Sequence, residues 1–231
     1  AGLFYLLSLC LYIKSRLLQI DNKPISRWGG FYGFSYFLCI ISMFTKENSV
    51  TLPLMLILCE FCFFKVEKNA NLKYILYFLI TLLIIPVLLF FTKPITFVDV
   101  QKVIDQPITG YEYLLTQLRV IITYIRLLFI PLNQNLNYDY AVSKTLAHLP
   151  TLASLLFLIS IFIIAIRIFN KYRLISFGIF WFFLTLLPES SFIPLKDVIF
   201  EHRLYLPMVG YSLFLVSLIY YRFAAKSIKP M

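Results

Sequence analysis

Three ionisable residues stand side by side at Glu201, His202 and Arg203, directly before an apolar run that begins near Leu204. Ionisable groups at the edge of an apolar layer are costly unless they are paired or used. An Arg guanidinium is a rigid fork of donors that suits a phosphate. A Glu beside it can orient that fork or act as a general base. The trio is therefore the first candidate site, and the alternative is that it only supplies the polarity that any loop outside a membrane needs.

The remaining candidates are two pairs of charged residues. Lys46 and Glu47 form a short polar break between two apolar runs, where a simple neighbour pair and a site are equally compatible with the sequence. Arg119 and Arg126 lie seven residues apart, which is about 700° around a helix, so they share one face. That face can point to water or lipid headgroups. The other face is apolar and is expected to point into hydrocarbon: Val120, Ile121, Ile125 and Leu128.

Histidines, cysteines and an acid inside the apolar runs give no further site. His202 lacks a second set of ligands at metal-binding spacing, so no metal is predicted and a divalent cation has no support from the residues. The four cysteines (Cys10, Cys39, Cys59 and Cys62) fall within apolar runs and are interpreted as small buried hydrophobic side chains. Glu60 is expected to extend to the membrane surface or to pair with a nearby Lys.

The composition decides what kind of element must position these residues. Hydrophobic residues make up 61% of the 231 and charged residues only 14%, too few to cover the surface of a soluble domain. The net charge of +10 could suggest a nucleic-acid partner. We exclude that class because the bases lie in short linkers between apolar runs, without solvated aromatic platforms. The sequence therefore predicts an integral membrane protein in contact with the lipid bilayer.

Seven apolar segments predict the spans of an all-α, polytopic transmembrane helix bundle. They are Ala1–Ile13 (truncated at the start of the chain), Trp28–Thr45, Ser49–Phe64, Tyr74–Phe91, Thr151–Phe169, Ser176–Pro188 and Met208–Phe223. An eighth apolar segment, Leu114–Leu132, carries Arg119 and Arg126. It is interpreted as an interfacial or re-entrant helix, because a full span there would invert every later segment.

The distribution of charge sets the orientation. Linkers on one side of the predicted spans carry 13 bases and three acids, and those on the other side carry eight of each. The first side is therefore expected to be cytoplasmic. The other, extracytoplasmic or lumenal, side receives a long excursion over about residues 92–150 and a late loop over about residues 189–207. All the candidate residues lie on that side.

Four segments carry a resemblance to a known family. They are Thr45–Pro53 (TKENSVTLP), Arg126–Pro131 (RLLFIP) with Asn137–Tyr140 (NYDY), Pro188–Pro194 (PESSFIP) and Glu201–Gly210 (EHRLYLPMVG). In this order they resemble motifs of the transmembrane and tetratricopeptide-repeat-containing protein O-mannosyltransferases and their bacterial relatives. Those enzymes belong to the GT-C glycosyltransferases. The resemblance covers nearly all of the chain, which it identifies as a partial GT-C-type transmembrane domain, residues 1–231.

The resemblance implies a multi-pass enzyme of a bacterial inner membrane or the endoplasmic reticulum. It would transfer a sugar, mannose or a similar one, from a polyprenyl-phosphate carrier to a protein or glycan hydroxyl on the extracytoplasmic or lumenal face. Arg203 is the first candidate for the carrier phosphate, with His202 and Glu201 orienting it. Arg119 and Arg126 are second candidates for contact with the headgroup or the carrier.

The same resemblance implies that parts of the enzyme lie beyond the chain. GT-C enzymes carry their acidic catalytic pair in the first outer loop, which would precede Ala1, so no catalytic residue is assigned and no acid here is promoted to that role. The tetratricopeptide repeats would follow Met231. The fragment alone is expected to be inactive.

Three other functions remain open at this stage. A transporter or flippase of lipid-linked sugars predicts charges in mid-helix or broken helices at the midplane. A polysaccharide polymerase or ligase is also polytopic, with basic outer loops. A membrane scaffold would leave the cluster of Glu201, His202 and Arg203 unexplained.

Overall fold

The computed structural model describes residues 1–64, 71–84, 86–87, 108–135, 138–195 and 197–223. The described residues form eight α-helices and no β-strand. The helices are α1 (Gly2–Ile20), α2 (Ile25–Thr45), α3 (Thr51–Phe63), α4 (Asn71–Ile80), α5 (Gly110–Phe129), α6 (Leu149–Ile168), α7 (Arg173–Leu186) and α8 (Pro207–Phe223). The chain divides into two compact units, Ala1–Pro94 and Ile95–Met231.

The all-α fold is confirmed for the described residues, and a helix overlaps each of the seven predicted spans, whereas the bundle of seven membrane spans stays a prediction. Among the described residues, α1 and α6 are long and apolar enough to cross a membrane, and α7 is a shorter apolar helix. These two helices support association with a membrane. The residues from 88 to 107, which include the end of one predicted span and the start of the outer excursion, lie outside the described residues.

Polar contacts fasten the helices of the first unit together. The Tyr5 hydroxyl lies 3.1 Å from Thr51 Oγ1, and the Tyr12 hydroxyl donates to Glu60 Oε1 at 2.9 Å. The earlier residue of α1 contacts the earlier residue of α3, and the later contacts the later, so α1 and α3 run parallel. Ser8 and Ser35 bind each other's backbone carbonyl reciprocally, at 2.8 and 2.7 Å, which joins α1 to α2.

The strongest of these contacts is a buried ion pair between Arg16 and Glu60. Arg16 Nε lies 2.5 Å from Glu60 Oε1, Arg16 Nη2 donates to Oε2 at 3.1 Å, and both residues are almost completely buried. The prediction that Glu60 extends to the membrane surface or pairs with a Lys is wrong, because it is buried and its partner is an Arg. The helix α1 also continues to Ile20, well past the predicted end at Ile13, because Arg16 is neutralised inside the unit instead of ending the helix in a polar linker.

In the second unit, α5 packs over the end of α7 and the start of α8. Val120 and Tyr124 are fully buried in a core that includes Phe182, Leu186 and Leu204. Gln117 Nε2 donates to the carbonyl of Val198 at 2.8 Å. The expectation that Val120 points into hydrocarbon is therefore wrong: its face of α5 is covered by protein.

A side-chain cap begins α5. The Thr109 hydroxyl accepts from the Glu112 amide at 3.2 Å, and the Thr109 amide donates to Glu112 Oε2 at 3.0 Å, which completes a capping box. The backbone and hydroxyl hydrogen bonds from Thr109 lower the pKa of the Glu112 carboxyl. The cap therefore contributes its full stability at pH values above the pKa that Glu112 has in the unfolded chain. That stability is lost as the pH falls through the lower pKa that Glu112 has in the folded chain.

We expect acidification from pH 7 to pH 3 to loosen the start of α5 through protonation of Glu112. NMR measurement of the amide shifts of Thr109 and Glu112 would detect a titration midpoint below that of an ordinary glutamate. Glu112→Gln should abolish that titration and keep the helix start, because Gln supports the same box. A midpoint at or above the ordinary value would contradict the cap.

Candidate functional site

The seven candidate residues fall into two groups. Lys46 and Glu47 belong to the first unit, at the break between α2 and α3, where Glu47 is exposed. The other five belong to the second unit, two of them on α5 and three in the short 3₁₀ helix Glu201–Tyr205.

Arg203 is an internal residue of the second unit. Its guanidinium donates to the carbonyls of Asp197 at 2.8 Å and Val198 at 3.3 Å, and its Nε lies 3.4 Å from Glu189 Oε2. Only 6% of Arg203 is exposed. The guanidinium is therefore oriented by Glu189 and by the late loop, not by Glu201 or His202. Its contacts join Arg203 to Glu189, at the other end of that loop.

Glu201 makes a separate polar contact with the segment that follows α5. Its Oε1 accepts a hydrogen bond from the Asn135 amide at 2.8 Å and a short one from the Tyr138 hydroxyl. Partial burial and the Glu201 carboxylate raise the pKa of the Tyr138 phenol, so Tyr138 keeps its proton and donates. The carboxylate is thereby fixed in one orientation.

Beside this contact lies a polar pocket of about 340 Å³. It is lined by Gln134, Asn135, Phe200, Glu201 and His202. The exposed imidazole of His202 lies over the Phe200 ring, with 4.8 Å between the ring centroids. A carboxylate, a side-chain amide, an imidazole and an aromatic ring therefore converge on one opening.

The two arginines of α5 share a face, as predicted, but they have different surroundings. Arg119 Nη1 donates to the Ala141 carbonyl and to Ser143 Oγ, each at 3.1 Å, and its guanidinium lies over the Tyr140 ring. Arg126 is exposed and makes one long hydrogen bond, 3.4 Å, to the Leu132 carbonyl. Arg119 thus fastens a loop, whereas Arg126 can accept a further anionic partner.

An apolar groove of about 310 Å³ lies next to the same end of α5. Four helices contribute to its walls: Ile125, Leu128 and Phe129 from α5, Phe157, Ile161 and Ile164 from α6, Gly178, Ile179, Phe182 and Phe183 from α7, and Tyr211 and Phe214 from α8. Apart from the Tyr211 hydroxyl, every lining side chain is a hydrocarbon. The groove can therefore hold a hydrocarbon chain.

Sequence reasoning missed the partners that define this site. Glu189 and Tyr138 belong to segments quoted for the resemblance, but neither was given a role. Gln134 and Asn135 lie in the polar run that follows α5, and that run was the only available signal for them. The contacts between this run and Glu201 span more than 60 residues of sequence, so no local pattern could reveal them.

No protein-family model, curated protein or solved structure matches the chain. Among the described residues, no group of three His, Cys, Asp or Glu side chains is arranged to hold a metal ion. The features of the second unit that could bind a ligand are therefore the groove, the pocket and the exposed Arg126.

Proposed function

We propose that the protein is a multi-pass membrane glycosyltransferase of the GT-C type, which transfers a sugar from a polyprenyl-phosphate carrier to a protein or glycan hydroxyl. One observation carries the proposal: an apolar groove and a polar pocket flank the same end of α5. A lipid-linked sugar has a long hydrocarbon chain, a phosphate and a polar head in that order. The two cavities suit its two ends.

Arg126 is our candidate for the phosphate between them. It lies on α5 between the groove residues Ile125 and Phe129, and its guanidinium reaches the turn that leads to the pocket residue Gln134. Arginine recognises phosphate through charge-assisted and often bidentate hydrogen bonds. Arg126 takes precedence over Arg203, whose donors are directed at Glu189 and two backbone carbonyls.

The multi-pass arrangement has support within each unit. Many large apolar side chains are exposed along the helices; on α6, for example, Leu156, Ile159 and Ile163 are each at least 45% exposed. Such surfaces suit lipid and not water. Arg16 and Glu60, which the count of charges assigns to the same side, form an ion pair in the first unit.

The test is a transfer assay on membranes that contain the full chain, with a radiolabelled polyprenyl-phosphate hexose as donor and both binding and transfer measured. We expect Arg126→Gln to weaken donor binding about tenfold, the loss of a charge-assisted hydrogen bond. Arg126→Lys should keep part of the affinity. Arg167→Gln, which removes an exposed arginine at the last turn of α6, is the matched control and should bind like the wild type.

Each outcome decides between functions. Donor binding that depends on Arg126, with neither transfer nor translocation, supports the carrier site alone, and transfer in addition supports the glycosyltransferase. Donor binding that depends on Arg126, with translocation of the sugar and no transfer, supports a flippase of lipid-linked sugars in its place. Equal binding by the wild type and Arg126→Gln contradicts the role of Arg126, and the absence of any donor binding contradicts both functions.

A further inference from the structure

The pocket beside Glu201 is chemically unsuited to the carrier phosphate that the resemblance places near the cluster of Glu201, His202 and Arg203. Among the described residues that line it there is no Lys or Arg, and the one formal charge is the Glu201 carboxylate. A phosphate there would face a carboxylate of its own sign, which is unfavourable at short range. The ligand of this pocket should therefore be neutral.

The donors and acceptors of the pocket define that neutral ligand more closely. Glu201 Oε1 already accepts from the Asn135 amide and the Tyr138 hydroxyl, whereas Oε2 accepts no hydrogen bond from any described residue. A free carboxylate oxygen binds hydroxyl groups strongly, because the acceptor is charged. The Gln134 amide and the His202 imidazole can each donate and accept, which matches vicinal hydroxyl groups.

Shape and apolar surface point to the same ligand. Phe200 adds an aromatic ring to a pocket of about 340 Å³, near the lower end of the range of about 300–1,000 Å³ for small-molecule sites. The size suits one sugar ring. The Phe200 ring contacts the His202 imidazole and the Arg203 guanidinium, so the part of this aromatic group that they leave open would meet the apolar C–H face of the sugar while polar groups bind its hydroxyls.

We propose that the pocket formed by Gln134, Asn135, Phe200, Glu201 and His202 is a monosaccharide subsite that binds one neutral hexose residue, with Glu201 Oε2 as acceptor for its hydroxyls. The source of the sugar, a lipid-linked donor, rests on the proposed function. The ability of the pocket to bind a sugar does not, because it follows from the lining residues. Tyr138 is a positioning residue: its hydroxyl binds Oε1 and so fixes the orientation of the carboxylate. The role of Glu201 and His202 thus changes from orienting Arg203 to recognising sugar.

The test measures binding of free methyl hexopyranosides to the purified full chain in detergent by saturation-transfer NMR, with inorganic phosphate as a second probe. At least one methyl hexoside should bind, and phosphate should not compete with it, whether or not phosphate binds at Arg126. Glu201→Gln should weaken hexoside binding about tenfold, in line with the loss of a charged acceptor. Tyr138→Phe should weaken it about three- to tenfold without removing the carboxylate, since a neutral tyrosine bond is worth less.

The control variant is Asp139→Asn, which removes an exposed carboxylate next to Tyr138 that does not line the pocket. It should bind hexosides like the wild type. The subsite is overturned if no hexoside binds, if Glu201→Gln and Asp139→Asn behave alike, or if phosphate competes. The assay contains neither lipid-linked donor nor acceptor, so it tests the subsite separately from the proposed function. If no hexoside binds but sugar transfer is intact, the subsite alone is refuted. If hexosides bind but the lipid-linked donor does not, the proposed function alone is refuted.

Discussion

Replacing Glu60 by Ala is expected to lower the free energy of unfolding by about 3–5 kcal/mol, because it leaves a buried guanidinium without its carboxylate. Arg16 and Glu60 are 3% and 1% exposed. Arg16 makes two contacts with the carboxylate and Tyr12 makes a third.

The double variant Arg16→Met/Glu60→Leu separates loss of a partner from loss of packing. Replacing a buried ion pair by apolar side chains of similar size is often neutral or stabilising, so this variant should recover most of the lost stability. Unfolding in mixed detergent micelles, followed by helical circular dichroism, gives the comparison. Glu47→Ala, at an exposed glutamate of the same unit, should change stability little. A Glu60→Ala effect no larger than that of Glu47→Ala would show that the pair is not buried as described.

Replacing Gly210 by Ala is expected to cost about 1–3 kcal/mol or more, because α7 and α8 touch through backbone at this point. A Cβ on Gly210 would lie 2.6 Å from the Gly178 carbonyl oxygen and 2.6 Å from Trp181 Cδ1. The reciprocal change at Gly178 would place a Cβ 2.6 Å from the Gly210 carbonyl oxygen. Since the obstacle is backbone, neither substitution can be absorbed by a rotamer change.

Gly33 supplies the matched control, because a Cβ there meets nothing within 4 Å. Gly33→Ala should be neutral or should stabilise the chain by up to about 1 kcal/mol through higher helix propensity. Fluorescence of Trp181 during unfolding, in a Trp28→Phe background, reports directly on the α7–α8 contact, since its Nε1 donates to the Leu206 carbonyl at 2.8 Å. Equal stability of Gly210→Ala and Gly33→Ala would contradict the close helix packing.

The helices were largely predictable from the sequence, and their partners were not. Apolar runs separated by short polar linkers predict helices in an apolar solvent, and a helix overlaps each predicted span. The sequence predicts an end of α1 that is too early, because Arg16 has the character of a polar linker, whereas Glu60, 44 residues later, neutralises it inside the unit. A local pattern contains no information about such a partner.

The candidate site illustrates the same limit. The adjacency of Glu201, His202 and Arg203 predicts one polar site at the start of an apolar helix, but neighbours in a 3₁₀ helix point in different directions. Arg203 turns inward to Glu189, and Glu201 turns to Tyr138 and Asn135. The pocket and the groove are formed by segments distant in sequence, so only the fold reveals that both flank the end of α5.

The most direct test of a lipid-linked sugar site is photo-crosslinking of the purified chain with a short polyprenyl-phosphate hexose that carries a diazirine on its hydrocarbon chain. Mass spectrometry of the labelled peptides identifies the residues that contact that chain. We predict labels on the groove residues of α5 and α8, such as Leu128, Phe129 and Phe214, which unlabelled donor removes and which Arg126→Gln reduces about tenfold. Labels spread evenly over the exposed apolar helix faces, and unaffected by unlabelled donor, would contradict a specific site for a lipid-linked sugar.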